Sequence, residues 1–233
     1  MKNTISIIIP TLNEQDGIKQ TIFSIPKSKI SELGYEIEIL VVDGNSSDLT
    51  CEIAEGLGAK VIREKRRGYG RAYKTGFAIA CGNIIITLDA DATYPAELIP
   101  EYVKKFEEEH LDFVTINRLS KLEKGAMSIP HRIGNKILSA LILLLYSIDL
   151  KDSQSGMWIM KKNFVDRINL ISDDMSFSEE IKIIAFKFFR ARELDGAYYK
   201  RTNGVTKLKT FYHGRKNLVY IFRYTKQLKS AII

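Results

Sequence analysis

Short, almost wholly apolar runs alternate with segments of helical spacing through the first half of the sequence. The runs are Ile5–Ile9, Ile37–Val42, Val61–Ile62, Ile84–Leu88 and Phe113–Ile116. A strand that is apolar at nearly every position is buried on both faces, which is typical of parallel sheets covered by helices. The alternation therefore predicts an α/β fold with a mostly parallel, Rossmann-like sheet flanked by helices.

The second half is less regular but continues the same elements. Its patterns predict helices at 130–147, 163–170 and 178–190, and strands at Met157–Met160 and 193–198. A chain of 233 residues suits one such domain with a short appendage. We place the domain at residues 1–210 and the appendage at 211–233.

The appendage combines aromatic side chains with Lys and Arg, and the whole chain carries a formal net charge of +7. A basic balance fits nucleic acid, an anionic membrane surface or phosphorylated small molecules. No compact basic run with interleaved aromatics marks a nucleic-acid site, so we expect no nucleic-acid partner. Residues 211–233 then have two interpretations: an amphipathic helix on an anionic membrane surface, or a terminal helix packed on the domain.

No apolar stretch reaches the roughly 18 residues that cross a bilayer. The longest is Ile137–Tyr146, broken only by Ser139, which suits a core helix or an interfacial one. The N-terminus runs directly into a strand pattern, unlike a signal peptide. We therefore expect no transmembrane domain, and a cytoplasmic protein held peripherally at the cytoplasmic face of the membrane.

Two carboxylates, Asp89 and Asp91, directly follow the apolar run Ile84–Leu88. Both cannot point into the core without partners, whereas at the end of a strand both can reach one cation. Hard oxygen ligands suit Mg²⁺ or Mn²⁺, which can bridge phosphate oxygens. The pair therefore predicts a divalent metal site, although Asp-x-Asp also occurs in many turns.

Two further features lie where ligands gather in such sheets, outside the carboxyl ends of the strands. Asp43 ends a neighbouring strand, where it suits either a hydrogen bond to a base or ribose, or capping of the next helix. A basic, glycine-rich loop that includes Arg67 and Gly70 precedes another helix. That loop suits either an anion site or a solvated basic turn.

These motifs, in this order, resemble inverting family 2 glycosyltransferases of the GT-A fold. The matching segments are PTLNE at 10–14, VVDGNSSD at 41–48, RGYG at 67–70 and LDAD at 88–91. Two later segments resemble the dolichyl-phosphate mannose and glucose synthase branch: DSQSGM at 152–157 and RTNGVTKL at 201–208. Together the segments extend over nearly all of residues 5–210.

The resemblance implies a nucleotide-sugar donor, a polyprenyl or dolichyl phosphate acceptor, and a role for individual residues. Nucleotide-sugar contacts are expected from Pro10, Leu12, Glu14, Asp43, Arg67, Gly70, Asp89 and Ala90. Metal and phosphate chemistry is expected from Asp89, Asp91, Arg118, Arg132, Arg201 and Lys207. The acceptor side is expected to include Ser155, Gly156, Glu179 and Glu180.

One departure from the family pattern bears on the metal and the donor. Mannose synthases of this branch often carry a Gln ligand two residues after the second Asp, where this chain has Thr93. A neutral hydroxyl is a weaker ligand, so metal affinity or donor choice is expected to differ. We favour UDP-glucose or UDP-N-acetylglucosamine as donor, with GDP-mannose behind them.

Three other functions stay open at the level of sequence. A family 2 enzyme acting on a saccharide hydroxyl would need a base, for which Glu179 or Glu180 would serve. A nucleotide-sugar-binding module without catalysis would not need the basic residues named above. A nucleotidyltransferase also uses paired carboxylates, but its glycine-rich loop usually follows the first strand, where Pro10–Glu14 has no glycine.

Overall fold

We describe the chain from a computed structural model over residues 3–202, 210–228 and 231–232. The strands are β1 (Thr4–Thr11), β2 (Glu36–Asp43), β3 (Lys60–Arg63), β4 (Ile84–Thr87), β5 (Phe113–Leu122), β6 (Trp158–Lys161) and β7 (Ala191–Tyr198). The helices are α1 (Gln15–Ser24), α2 (Lys27–Glu32), α3 (Thr50–Gly56), α4 (Tyr69–Ile79), α5 (Ile99–Glu108), α6 (Ile129–Tyr146), α7 (Lys162–Asp166), α8 (Phe177–Phe188) and α9 (Thr210–Tyr224). A short 3₁₀ turn, Ala96–Leu98, precedes α5.

The strands form one sheet in the order β3-β2-β1-β4-β6-β5-β7. All neighbours are parallel except β6, which runs antiparallel to both β4 and β5. The segment after α6 returns the chain to the edge where β4 and β5 end, so β6 must run the other way. The predicted mostly parallel sheet flanked by helices is confirmed.

Each face of the sheet carries its own core, because successive side chains of a strand point to opposite faces. Ile7 and Ile9 of β1 pack with α1 and α5, whereas Ile8 packs with α4, α6 and α8. Such two-sided burial is the reason why the strand sequences contain so few polar residues. The sequence predicted neither the short helix α2 nor the extension of β5 from Ile116 to Leu122.

The C-terminal helix α9 packs on the domain, beside α6 and α8. Ile221 and Tyr224 are completely buried in the core on that face, and the Tyr146 hydroxyl donates to the Ile221 carbonyl over 2.6 Å. The outer face of α9 remains exposed at Tyr212, Val219 and Phe222. One face of α9 therefore packs on the domain, as the second interpretation of residues 211–233 predicted. The domain boundary at residue 210 stays a prediction.

Within the described ranges, every helix is too short or too polar to cross a membrane.

Candidate active site

The loops after β1, β2 and β4 meet at one edge of the sheet. Thr11 at the end of β1 pairs with Asp43 at the end of β2, and β4 lies on the other side of β1. Each loop contains a non-glycine residue with positive φ: Asn13 at 50°, Asn45 at 74° and Ala92 at 57°. Non-glycine residues adopt this conformation infrequently, and such strain clusters at functional sites. These turns mark the edge as the candidate site.

Asp89 and Asp91 lie together in the turn after β4. Desolvation of the Asp89 carboxyl, and after it the negative charge of Asp91, raises the pKa of Asp89 to about 7. Arg118 and Arg201 act in the opposite direction on the same group. Two carboxylates in one poorly hydrated site repel each other, and a cation bound beside them would stabilise both in the ionised form.

Thr93 positions the second carboxylate. Its hydroxyl donates to Oδ1 of Asp91 over 2.7 Å, and its amide lies 3.3 Å from the same oxygen. The side chain is buried, so it is held in this orientation. Thr93 thus orients the Asp91 carboxylate, and weak ligation of a metal by its hydroxyl stays a prediction.

Arg201 forms an ion pair with the other oxygen of Asp91. Its Nη2 lies 2.9 Å and its Nε 3.1 Å from Oδ2 of Asp91, and Nη2 lies 3.1 Å from Oε1 of Glu14. The predicted catalytic arginine therefore reaches the carboxylate pair and connects it to the start of α1. Its other predicted partner in phosphate binding, Lys207, lies outside the described residues.

Arg118 is buried in the middle of β5 and faces Asp152. Nε and Nη2 of the guanidinium donate to the two carboxylate oxygens over 2.7 and 2.9 Å. The guanidinium also lies over the ring of Tyr198, 5.1 Å from its centroid. The Arg118 charge, together with hydrogen bonds from Arg118 and Asn135, lowers the pKa of Asp152 to about 2 despite complete burial. Arg118 is therefore held in place by protein groups beside Asp89.

The loop of residues 152–156 packs against the Asp89 carboxylate through Gly156. A Cβ atom at Gly156 would lie 2.5 Å from the Tyr69 hydroxyl and 3.3 Å from Oδ1 of Asp89, so a larger residue there would displace the Tyr69 side chain. The Gly156 amide donates to the hydroxyl of Tyr94 over 2.6 Å, and its carbonyl accepts from Thr87 over 2.7 Å. Gly156 therefore lies next to the Asp89 carboxylate, and its predicted place on the acceptor side stays a prediction.

Ser155, Glu179 and Glu180 are completely buried, and their predicted place on the acceptor side stays a prediction. Glu180 accepts hydrogen bonds from the amides of Ile171 and Ser172, each over 2.8 Å. Glu179 accepts from the side chain of Gln154, and burial raises the pKa of Glu179 to about 7. The packing of α8 against the 152–156 loop encloses these side chains.

Asp43 braces its own turn. Oδ2 accepts from the amides of Asn45 and Ser46 over 3.0 and 2.9 Å, and Oδ1 accepts from the Thr11 and Ser46 hydroxyls. The cap-like contact at α3 comes instead from Asp48, which accepts from the Thr50 amide. The structure thus excludes the capping alternative for Asp43, and its contact with a base stays a prediction.

Pro10 and Leu12 lie at and just beyond the end of β1, beside the Asp43 turn, and Leu12 is exposed. In the turn after β4, Ala90 is buried. These positions are compatible with the predicted nucleotide contacts, which stay predictions.

The basic, glycine-rich loop has mainly a packing role in this structure. A Cβ at Gly70 would lie 2.7 Å from Cβ of Phe177, and Arg71 forms an ion pair with Asp173 over 2.6 Å. Gly68 has φ of 138° and approaches the Asp173 carbonyl. The predicted nucleotide-sugar contact of Gly70 stays a prediction, as does that of Arg67, which is exposed.

Arg132 is exposed in the first turn of α6, the end of the helix that faces Arg118. The adjacent His131 has a lowered pKa because of burial and, secondarily, the positive charge of Arg118. The start of α6 is therefore close to the site, and phosphate contact by Arg132 stays a prediction.

Sequence reasoning missed that α1 packs against the turn that contains Asp89 and Asp91. A Cβ at Gly17 would lie 2.6 Å from the Ala90 carbonyl, and the Thr21 hydroxyl accepts from the Ala92 amide over 2.9 Å. Gly17 was visible only as an isolated glycine at the start of a helix. Its function follows from the close approach of α1 to the turn, which no local pattern reveals.

The carboxylate oxygens of Asp89 and Asp91 suit a divalent cation that also binds phosphate. Among the described residues there is no cluster of three or more His, Cys, Asp or Glu side chains that could hold a metal. Mg²⁺ is commonly bound by one or two carboxylates, with substrate phosphates and water completing its coordination. Asp89 and Asp91 meet that description, whereas a self-sufficient protein site is not seen in this part of the chain.

Comparison with known proteins gives related enzymes. The chain is 30% identical over 221 residues to the low-salt glycan biosynthesis hexosyltransferase Agl6 of Haloferax volcanii, covering 94% of this chain and 53% of that protein. It is 29% identical over 216 residues to the dolichol-phosphate mannosyltransferase of Pyrococcus furiosus, covering 88% of this chain and 59% of that protein. The chain thus spans somewhat more than half the length of these two relatives.

The fold matches that of a solved glycosyltransferase. Glucosyl-3-phosphoglycerate synthase from Mycobacterium tuberculosis, in complex with Mn²⁺, UDP-glucose and phosphoglyceric acid, superposes with a TM-score of 0.74 at 18% identity. The match covers 96% of this chain and 79% of that one, and it confirms the predicted GT-A-like fold. The model for "Glycosyl transferase family 2" matches residues 6–168, well over half of the chain. This protein therefore belongs to glycosyl transferase family 2.

Proposed function

We propose that this protein is an inverting, metal-dependent glycosyltransferase that moves a hexose from a nucleotide-sugar to a polyprenyl or dolichyl phosphate. The favoured donors are UDP-glucose and UDP-N-acetylglucosamine, with GDP-mannose as the alternative. The product would serve glycan or glycoprotein biosynthesis. The protein would act at the cytoplasmic face of the membrane.

One observation carries the proposal: Asp89 and Asp91 share the strand-end site with Arg118 and Arg201. Paired carboxylates and arginines at one site suit a ligand that brings both a cation and phosphate groups. A nucleoside diphosphate with Mg²⁺ or Mn²⁺ supplies both. When bound, the metal would stabilise negative charge on the departing diphosphate.

The residues of the chain would act by positioning and by electrostatics. An oxygen of the lipid phosphate attacks the anomeric carbon as the bond to the nucleoside diphosphate breaks. The acceptor oxygen is already ionised, so no proton has to be removed by a protein base. Arg201 would move from Asp91 to a phosphate group, and Arg118 would contribute its positive charge from a fixed place.

The relatives support a lipid-linked acceptor, since one is a dolichol-phosphate mannosyltransferase. The UDP-glucose bound to the similar fold supports a UDP-sugar donor. The burial of Glu179 and Glu180 speaks against transfer to a saccharide hydroxyl, because that reaction needs an accessible base.

The outer face of α6 supports contact with a membrane surface. Five large apolar side chains are exposed on it: Ile129 (70%), Ile133 (54%), Ile137 (49%), Leu143 (49%) and Leu144 (76%). Arg132 and Lys136 lie on the same exposed side. An apolar face with basic residues suits the boundary of an anionic lipid layer, where a lipid phosphate would be presented.

The catalytic part is tested by transfer assays with Mn²⁺, labelled UDP-glucose, UDP-N-acetylglucosamine or GDP-mannose, and a short polyprenyl phosphate. We expect wild-type turnover with one donor and a loss of about 100-fold or more in Asp91→Asn, the usual range for removing one transition-state stabiliser. Asp149→Asn, which changes an exposed carboxylate, is the control. Undiminished turnover in Asp91→Asn, or a product of retained anomeric configuration, would refute the mechanism.

The membrane part is tested by sedimentation with anionic phosphatidylserine vesicles. Ile133→Asn and Leu144→Asn should each weaken binding, because each removes exposed apolar surface from α6. Phe23→Asn is the matched control, since Phe23 is equally exposed but belongs to α1 on the opposite face of the sheet. Equal binding by all three variants would count against a membrane role for α6.

A further inference from the structure

Lys182 is a completely buried lysine whose ammonium group binds the 152–156 loop. It donates to the carbonyls of Ser153 and Ser155 over 2.7 and 2.6 Å, and to the Ser178 hydroxyl over 3.0 Å. The group also lies 5.7 Å from the ring centroid of Trp158. Lysine is almost never fully buried without partners, because removing its charge from water is costly. These contacts mark Lys182 as a specific anchor for the loop backbone.

Glu179 holds the same loop from a position three residues earlier on α8. It accepts a 2.6 Å hydrogen bond from Nε2 of Gln154, and Oε1 of Gln154 accepts from Asn217 of α9 over 3.1 Å. The opposite charges of Glu179 and Lys182 act on each other within the interior. Together they bind the loop through two backbone carbonyls and one side-chain amide.

The two ends of this loop contact the two kinds of charged group in the active site. Asp152 at one end holds Arg118 through a bidentate ion pair. Gly156 at the other end packs directly on Asp89. A shift of the loop would therefore move Arg118 and Asp89 together. Asn135 and Ser139 of α6 also form hydrogen bonds with the loop, at Asp152 and Ser153, so α8 and α6 support it together.

We infer that Lys182 and Glu179 are positioning residues for glycosyl transfer, and that they act by fixing the 152–156 loop beneath Asp89 and Arg118. The inference rests on the proposed function. Neither residue touches the reacting atoms; both set the geometry in which metal and diphosphate are bound. Outer partners of metal ligands typically alter metal affinity by about 10- to 100-fold, and a similar effect is expected here.

The test compares Lys182→Met with Lys187→Met by calorimetric titration of UDP, and separately GDP, in the presence of Mn²⁺. Lys187 is the matched control, because it lies on the same helix and donates to a backbone carbonyl, that of Tyr146, over 3.3 Å. We expect Lys182→Met to bind the nucleotide about 10-fold more weakly with unchanged stoichiometry. Lys187→Met should bind as wild type does.

Stoichiometry separates positioning from folding, since a purely structural loss reduces the fraction of competent protein without changing its affinity. If Lys182→Met does not fold, the double variant Glu179→Gln, Lys182→Met replaces it, because it removes both charges of this buried pair and leaves neither without its partner. Wild-type affinity in the variant that folds, or an equal loss in Lys187→Met, would overturn the inference. Failure of the wild type to bind either nucleotide would instead refute the proposed function.

Discussion

The buried pair of Arg118 and Asp152 makes a prediction that does not depend on substrate. Asp152 is fully buried and accepts hydrogen bonds from Nε, Nη2 and the amide of Arg118, from Asn135 and from the Gln154 amide. Asp152→Asn keeps the size of the side chain but removes its charge. The Arg118 side chain, only 10% exposed, would then be a buried cation without its counter-charge.

Removing one partner of a buried ion pair costs about 3–5 kcal/mol in the free energy of unfolding. For a chain of this size each kcal/mol corresponds to a change in Tm of about 2–4 °C, so Tm should fall by about 6–20 °C. The free energy is measured by urea denaturation, and Tm by differential scanning calorimetry, both at neutral pH.

The control is Glu101→Gln, which breaks an exposed ion pair with Lys105 one helical turn away on α5, at 2.9 Å. Exposed pairs of this kind contribute only about 0.3–0.5 kcal/mol. A loss below about 1 kcal/mol in Asp152→Asn would refute the reasoning, because it would mean that Arg118 finds water or another acceptor at no cost.

Three further predictions concern pH, the metal and the loop beneath it. The folded state lowers the pKa of Asp152 to about 2. The charged carboxylate therefore contributes its full stabilisation above the ordinary aspartate pKa, and this stabilisation is lost as pH falls through about 2. The difference in unfolding free energy between wild type and Asp152→Asn should shrink between about pH 4 and 2. Arg201→Gln should tighten Mn²⁺ binding without nucleotide by about 10- to 150-fold, because about 1.5–3 kcal/mol of charged hydrogen bonding to Asp91 no longer competes with the metal. The affinity is measured by electron paramagnetic resonance of free Mn²⁺. Arg201→Lys should tighten Mn²⁺ binding partially, and wild-type affinity in both variants would contradict this competition. Gly156→Ala should weaken Mn²⁺ binding by about 10-fold, since the new Cβ collides with the Tyr69 hydroxyl and crowds the Asp89 carboxylate. Gly134→Ala, where a Cβ meets nothing within 4 Å, should leave Mn²⁺ binding unchanged.

The sequence predicted those elements whose apolar period is regular. β1, β2 and β4 appear within a few residues of their predicted positions, because each is an almost wholly apolar run that ends at a proline or an aspartate. The antiparallel direction of β6 was not predictable, since a four-residue apolar strand has the same pattern in either direction. α2 was missed because its six residues contain only one that is buried.

The residues of the candidate site were likewise predicted only in part from the sequence. Asp43 and Asp89 were found because they end buried strands, and position alone predicts that they meet. The pairing of Arg118 with Asp152, and the anchoring role of Lys182, were not found, because residues far apart in sequence meet only after the sheet has formed. Lys182 has no local signal: a lysine on a helix is normally solvated, and only the packing of α8 under the loop buries it.

The partners of Asp91 bear on the order in which metal and donor bind. Oδ1 accepts from Thr93 and Oδ2 from Arg201, so an arriving cation meets a carboxylate that is already neutralised on one side. The remaining lone pairs of the carboxylate can accept a metal only weakly while Arg201 stays in place. A nucleoside diphosphate changes this balance, because its phosphate oxygens offer Arg201 an alternative partner and give the metal the ligands that the described part of the chain lacks. Metal and donor should therefore bind together, each strengthening the other, and the hydroxyl of Thr93 should hold Asp91 in the same orientation before and after the exchange.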